Sequence, residues 1–321
     1  MRIRTQSADS SPAPEMNFLT RLHGSGNRRG IISFLLAVFL FTINEALCKL
    51  VYGAVSTHQI LALRGVIATV AVLGLIQASG AMPRILRMFD RPVLLRSSID
   101  LISSYFYMIA LFHTPISNVM AIHMSSPLMM TAVVAIVLRE TVGWRRWSAV
   151  AVGFLGVLLV VQPRAENFSA YSMLGVGAAA FVVLRDLVTK RIAAEIPSAI
   201  IILTNVGMLT LVSLTLALLE GWVTMTLGQF SFVAIAALCI AVGYICTVDA
   251  FRHAEVTVIV PMRYAGLPLA LLLGYFIWGD VPNTLASVGI VLIVGSGLYV
   301  LHRERLRGKE AAAQAAATPP P

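Results

Sequence analysis

Ten apolar runs of about twenty residues follow one another along the chain, at 30–52, 57–79, 93–112, 115–138, 144–162, 171–191, 198–219, 230–252, 256–278 and 283–302. About twenty apolar residues in a helix cross the hydrocarbon of a bilayer, and only helices or closed barrels satisfy their backbone there. The pattern predicts an all-α polytopic membrane protein of ten transmembrane helices. Short connections make neighbouring helices antiparallel and pack them as a bundle. The leading tail, the second, fourth, sixth and eighth connections and the closing tail together hold eighteen Lys and Arg, whereas the intervening connections hold Arg164 alone. Basic residues stay on the cytoplasmic side, so both termini are expected there.

The ten runs divide into two sets of five. Asn44-Glu45-Ala46-Leu47-Cys48-Lys49 places an acid four residues before a lysine, and Asp186 with Lys190 repeats that spacing 141 residues later. His113 to Glu140 corresponds to His253 to Asp280 at an offset of 140, and Pro127 and Pro268 fall within one position of each other. Five is odd, so the second set is inverted across the membrane. Inverted repeats of this kind build alternating-access transporters. The expected organisation is a disordered cytoplasmic tail over 1–29, a first five-helix repeat over 30–162, an inverted second repeat over 163–302 and a cytoplasmic tail over 303–321. The Ala/Pro end of that last tail, from 311 onwards, reads as disordered. A duplicated receptor or scaffold without transport is the reading from a different class.

Composition agrees. The chain is 58% hydrophobic and only 12% charged, about half the charge of a soluble protein. The net charge of +9 does not point to nucleic acid, because the basic residues lie in short connections rather than on one face. Cys48, Cys239 and Cys246 fall inside apolar runs without metal-ligand spacing and read as inert thiols. No HExxH, GxSxG or P-loop is present, so neither an enzyme nor a cofactor or metal is expected. Uphill transport would draw on an ion gradient or on exchange. The expected partners are the lipid bilayer and a small-molecule substrate, with the chain a monomer or homodimer.

Candidate chemistry lies in the charges inside the runs, which are expensive in a membrane and mark function by default. At ~1.5 Å per residue, Glu45 and Arg64 lie about 10 Å below the outer surface and His123 about as deep. They define an expected outer cluster of Asn44, Glu45, Lys49, Arg64 and His123, with Tyr105 and Tyr107 nearby. Asp186, Asp249 and Arg263 define an inner one, in which Arg263 is the repeat counterpart of His123. Glu45 with Arg64, and Asp186 with Arg263, read equally as structural ion pairs. Arg96 and Asp100 read as a local i,i+4 pair, and Lys49 and Lys190 as interfacial anchors. Glu45, His123 and Asp186 are the candidates for proton coupling. Pro127, Pro261 and Pro268 interrupt the fourth and ninth runs, which should therefore line the cavity. Gly153, Gly156, Gly289, Gly295 and Gly297 read as close helix packing, and Trp144, Trp147 and Trp278 as interfacial anchors.

The order of motifs resembles the drug/metabolite transporter superfamily and its EamA-type branch. The residues that carry this are N-E-A-L-C-K (44–49), I-L-A-L-R ending at Arg64, R-E-T-V-G-W-R-R-W (139–147), V-P-M-R-Y (260–264) and G-D-V-P (279–282). The last two look like the subgroup of bacterial riboflavin and S-adenosylmethionine uptake proteins. The resemblance implies a secondary transporter of a cofactor-like metabolite in the bacterial inner membrane. The superfamily also includes exporters of amino acids and drugs. Riboflavin is the expected substrate, stacked on aromatic side chains such as Tyr105, Tyr107, Tyr244 and Tyr264.

Overall fold

The computed structural model describes residues 25–137, 139, 143–162, 169–193, 195–254 and 256–317. Residues 1–24, Glu140 and Arg164 lie outside the described residues. Among the described residues, nine helices are long and apolar enough to cross a membrane. In chain order, span 1 is Ser25–Val51, span 2 Thr57–Ala78, span 3 Arg91–His113, span 5 Trp144–Val161, span 6 Tyr171–Thr189, span 7 Ser198–Glu220, span 8 Leu227–His253 and span 10 Thr284–Ala317. Span 4 is two helices, Ile116–His123 and Ser126–Ile136.

The run at 256–278, here span 9, is not a continuous helix. It is a short helix Val256–Ile259, a 3-10 turn Val260–Ala265, a helix Gly266–Leu273 and a π turn Gly274–Trp278. The prolines explain both interrupted spans. Proline has no N–H for the carbonyl four residues back, so Pro127 and Pro268 each remove one helical bond, to the carbonyls of His123 and Tyr264. Span 10 runs helical to Ala317, which corrects the expectation of disorder over 311–317, while 318–321 lie outside the described residues. That stretch is mostly alanine, the best helix former, and proline enters only at 319.

Helix boundaries repeat as closely as the motifs do. Spans 2 and 7 begin at Thr57 and Ser198, 141 apart; spans 3 and 8 end at His113 and His253, 140 apart. The offset of 140 also relates Ile116 to Val256, Ser126 to Gly266 and Trp144 to Thr284, each the start of an element. Spans 3 and 8 even close alike, with C-cap residues Thr114 and Ala254 at φ −136°, ψ 162° and φ −132°, ψ 154°.

The packing obeys the same exchange. The four most extensive helix pairings are 1 with 8, 3 with 6, 2 with 7 and 5 with 10. Exchanging each span for its counterpart turns the first pairing into the second and leaves the other two unchanged. Eight spans close a ring in the order 1, 8, 2, 7, 3, 6, 4, 9, and spans 5 and 10 back onto spans 4 and 9. Two contacts join a residue to its own counterpart: Thr69 Oγ1 to Thr210 Oγ1 at 3.3 Å, and the Tyr264 hydroxyl to the Met124 carbonyl at 3.4 Å. The second holds the breaks of spans 4 and 9 together.

Spans 5 and 10 meet backbone to backbone. A Cβ on Gly289 would lie 2.6 Å from the Gly156 carbonyl oxygen, and one on Gly156 would lie 2.8 Å from that of Gly289. Gly153 and Gly297 admit Leu128 and Tyr264 in the same way, whereas Gly295 has nothing within 4 Å. Packing, the expected role, therefore holds for four of these glycines and not for Gly295. Gly289→Val is expected to force the two helices apart and abolish a monodisperse peak in detergent. Gly295→Val is expected to leave that peak intact, so equal behaviour of the two variants would refute the crossing.

The core is lopsided. Its main cluster gathers Ala46, Cys48, Val51, Ile60 and Leu61 with Leu111, Ile116, Ile122, Val160 and Ile293, toward the end of the bundle that carries the 51–57 connection. The opposite end, where the chain termini emerge, holds smaller separate clusters such as Val72, Ile76, Val93 and Ile200.

Candidate transport cavity

Polar contacts close the end where the core is dense. His58 Nε2 lies 3.1 Å from the Glu220 carboxylate, Tyr105 and Ser213 share a hydrogen bond of 2.7 Å, and the Gln59 amide exchanges bonds of 2.7 and 3.1 Å with the Val223 backbone. These ties join spans 2, 3 and 7. Lys49 donates to the Thr114 carbonyl and lies over the Trp278 ring, which ties spans 1, 3 and 9. Lys49 therefore leaves the expected outer cluster, and Tyr105 belongs to this seal rather than to a stacking surface.

Beneath the seal, four predicted residues do meet. Asn44 and Arg64 are buried, and Arg64 Nη1 donates to Asn44 Oδ1 at 3.3 Å. Arg64 is thus hydrogen-bonded to Asn44 rather than ion-paired to Glu45. Glu45 lies within electrostatic reach of Arg64 and against the Tyr107 hydroxyl. Tyr107 in turn packs edge-on to His123, with ring centroids 4.9 Å apart. One carboxylate oxygen of Glu45, Oε2, and one ring nitrogen of His123, Nδ1, are buried without a hydrogen-bond partner.

The second cluster centres on Asp100. The expected i,i+4 bond exists, with Arg96 Nη1 3.4 Å from Asp100 Oδ2, but Arg185 Nη1 donates to the other oxygen at 2.8 Å. Arg185 also bonds Asp186, through Nη2 at 2.8 Å and Nε at 2.9 Å, both to Oδ1. Asp100 therefore joins spans 3 and 6, a role the sequence reading missed by assigning the carboxylate to its own helix. A signal was available: Arg185 is the counterpart of Asn44, itself a cavity candidate. Tyr244 lies among Arg64, Arg96, Asp100 and Arg185, edge-on to Phe41.

Two predicted residues lie elsewhere. Asp249 is bound by Arg29 and Ser33 at 2.7 Å each and approached by His253 at 3.2 Å. It ties spans 1 and 8 at the terminal end and does not join Asp186. Tyr264 is buried and directs its hydroxyl to Met124, against Gly297, so its ring fills a seam between spans 4, 9 and 10. The aromatic cradle expected for a flavin is therefore not assembled.

Arg263 stands where predicted and is differently occupied. It lies within electrostatic reach of Arg185 and Asp186, yet its residue surface stays open. It makes no hydrogen bond and no ion pair within 4.0 Å among the described residues. Its surface is thus not covered by packed protein, although Arg185 and Asp186 lie close by. Among the described residues no group of His, Cys, Asp and Glu could hold a metal.

Residues 28–162 match the EamA-like transporter family. This stretch is an EamA-like domain. The chain is 26% identical over 191 residues to an S-adenosylmethionine uptake transporter of Rickettsia bellii, covering 60% of this chain and 65% of the relative. It is 30% identical over 200 residues to a riboflavin transporter of Vibrio cholerae, covering 62% and 66%. It thus spans just under two thirds of the length of these two relatives. A pseudopaline exporter, CntI of Pseudomonas aeruginosa, is 24% identical over 268 residues, covering 83% and 94%. A crystal structure shares this chain's fold at a TM-score of 0.59 and 20% identity, covering 86% of this chain and 98% of the other.

Proposed function

We propose that the protein is a secondary transporter that moves a small cofactor-like metabolite across the bacterial inner membrane by alternating access, with both termini in the cytoplasm. The observation that carries this reading is an unequal state of two equivalent halves. Asn44 and Arg64 have as counterparts Arg185 and Asn205, each 141 residues on. At these two matched positions each repeat thus has one arginine and one asparagine, in exchanged order. In the first repeat the pair is bonded. In the second, Arg185 turns to Asp100 and Asp186, and Asn205 Oδ1 is buried with no partner. Two halves that adopt each other's conformation in turn would make one of these bonds and break the other. The dense core and the seal at one end support the same reading, with the sealed end taken as the outside.

The names of the relatives supply two uptake substrates, riboflavin and S-adenosylmethionine. The charged interior and the dispersed tyrosines favour the charged one. Purified protein in proteoliposomes is expected to accumulate labelled S-adenosylmethionine under an imposed pH gradient. Glu45→Gln is expected to remove the gradient dependence, because its neutral amide cannot carry a proton past Tyr107 and His123. Absence of flux for both named substrates and for amino acids, above empty vesicles, would sink the transporter reading.

A further inference from the structure

We infer that the cavity holds its cargo by a zwitterionic head group, a carboxylate on Arg263 and an ammonium on Asp186. This rests on the transporter reading and names the substrate class of the same site. Among the described residues every other guanidinium inside the ring has at least one bonded partner: Arg64 has Asn44, Arg96 has Asp100, and Arg185 has Asp100 and Asp186. Arg263 has no such partner among the described residues and keeps open surface. Its planar fork of donors matches a carboxylate in bidentate fashion.

Asp186 offers the complement. Both of its bonds from Arg185 end on Oδ1, so Oδ2 is left for another donor, and the side chain is 43% exposed. Asp186 and Arg263 feel each other electrostatically but are not in contact. The space between them is bounded by one free cation and one half-used anion. A neutral planar cargo would leave the donors of Arg263 unmatched, and a buried unmatched donor is unfavourable. An inorganic anion would satisfy Arg263 and be repelled by Asp186. An α-amino-acid head satisfies both.

The test uses the full chain in proteoliposomes and in detergent. The probes are S-adenosylmethionine, S-adenosylhomocysteine and methionine, which carry the head, and 5′-methylthioadenosine and riboflavin, which lack it. Headed probes are expected to bind, with 5′-methylthioadenosine at least tenfold weaker than S-adenosylmethionine. Arg263→Gln and Asp186→Asn are each expected to lower uptake of S-adenosylmethionine at least tenfold, Arg263→Lys to restore part of it, and Lys190→Gln, exposed at the end of the same helix as Asp186, to change nothing. Where Arg263→Gln does not fold, Asp186→Asn and the probe series on the unaltered protein decide. Transport of riboflavin or 5′-methylthioadenosine as fast as of the headed probes overturns the head-group site and leaves the transporter reading standing. Binding of headed probes without flux of any probe overturns the transporter reading and keeps the site. No binding of any headed probe overturns the site.

Discussion

Asp100→Ala is expected to destabilise the folded protein by about 3–5 kcal/mol, the range for removing one partner of a buried ion pair. The carboxylate side chain is only 9% exposed and accepts from two guanidinium groups, themselves 16% and 21% exposed. Without it Arg96 and Arg185 face each other in an apolar bundle, and the link between spans 3 and 6 is lost. Thermal unfolding in detergent measures the loss. The decisive comparison is a double-mutant cycle. Asp100→Ala with Arg96→Ala is expected to be more stable than Asp100→Ala alone, because Arg185 keeps its bonds to Asp186 whereas Arg96 is bonded to Asp100, so the second change removes a stranded charge. Strictly additive losses would mean that the two side chains are solvated independently and that the Asp100 cluster does not hold the helices.

The second large effect is on the conformational equilibrium rather than on stability. Asn44→Ala removes a bond that the present state makes, and Asn205→Ala removes one that only the exchanged state would make. A hydrogen bond to a charged group contributes about 1.5–3 kcal/mol, and each 1.4 kcal/mol is tenfold in an equilibrium. The two variants are therefore expected to shift the ratio of states by about ten- to a hundredfold in opposite directions. Spin labels at Ala54 and Ala170, exposed on connections at the sealed end and linked there through the contacts of Tyr52 and Tyr171 with His113, report the opening. Asn44→Ala should lengthen the population-weighted distance, and Asn205→Ala should shorten or preserve it. Shifts of the same sign in both variants would remove the exchange of bonds from the mechanism.

Much of the fold was legible in the sequence because membrane spanning leaves few choices. Span 2 was expected at 57–79 and runs Thr57–Ala78; span 5 was expected at 144–162 and runs Trp144–Val161. The repeat was legible because Glu45 and Asp186, and His113 and His253, are rare residues in an apolar background. The site was legible only in part. Depth along a helix can be counted, so Asn44, Glu45, Arg64 and His123 fell together correctly. The direction a side chain takes around the helix was harder to read. Asp249 and Tyr264 have suitable depth, but one turns to Arg29 and the other to Met124. Asp100 shows the complementary failure. A sufficient partner four residues away hid the stronger one across the bundle.

The bond between Thr69 and Thr210 has a consequence for any experiment that watches this protein move. Each threonine is the other's equivalent, so swapping the roles of the two halves maps the contact onto itself. It can persist unbroken through a full cycle and would act as a fulcrum. A reporter pair spanning it would read one constant value throughout turnover and could be mistaken for proof of a rigid molecule. Motion is visible only to reporters away from this pivot, and it should be largest on the rim of the ring.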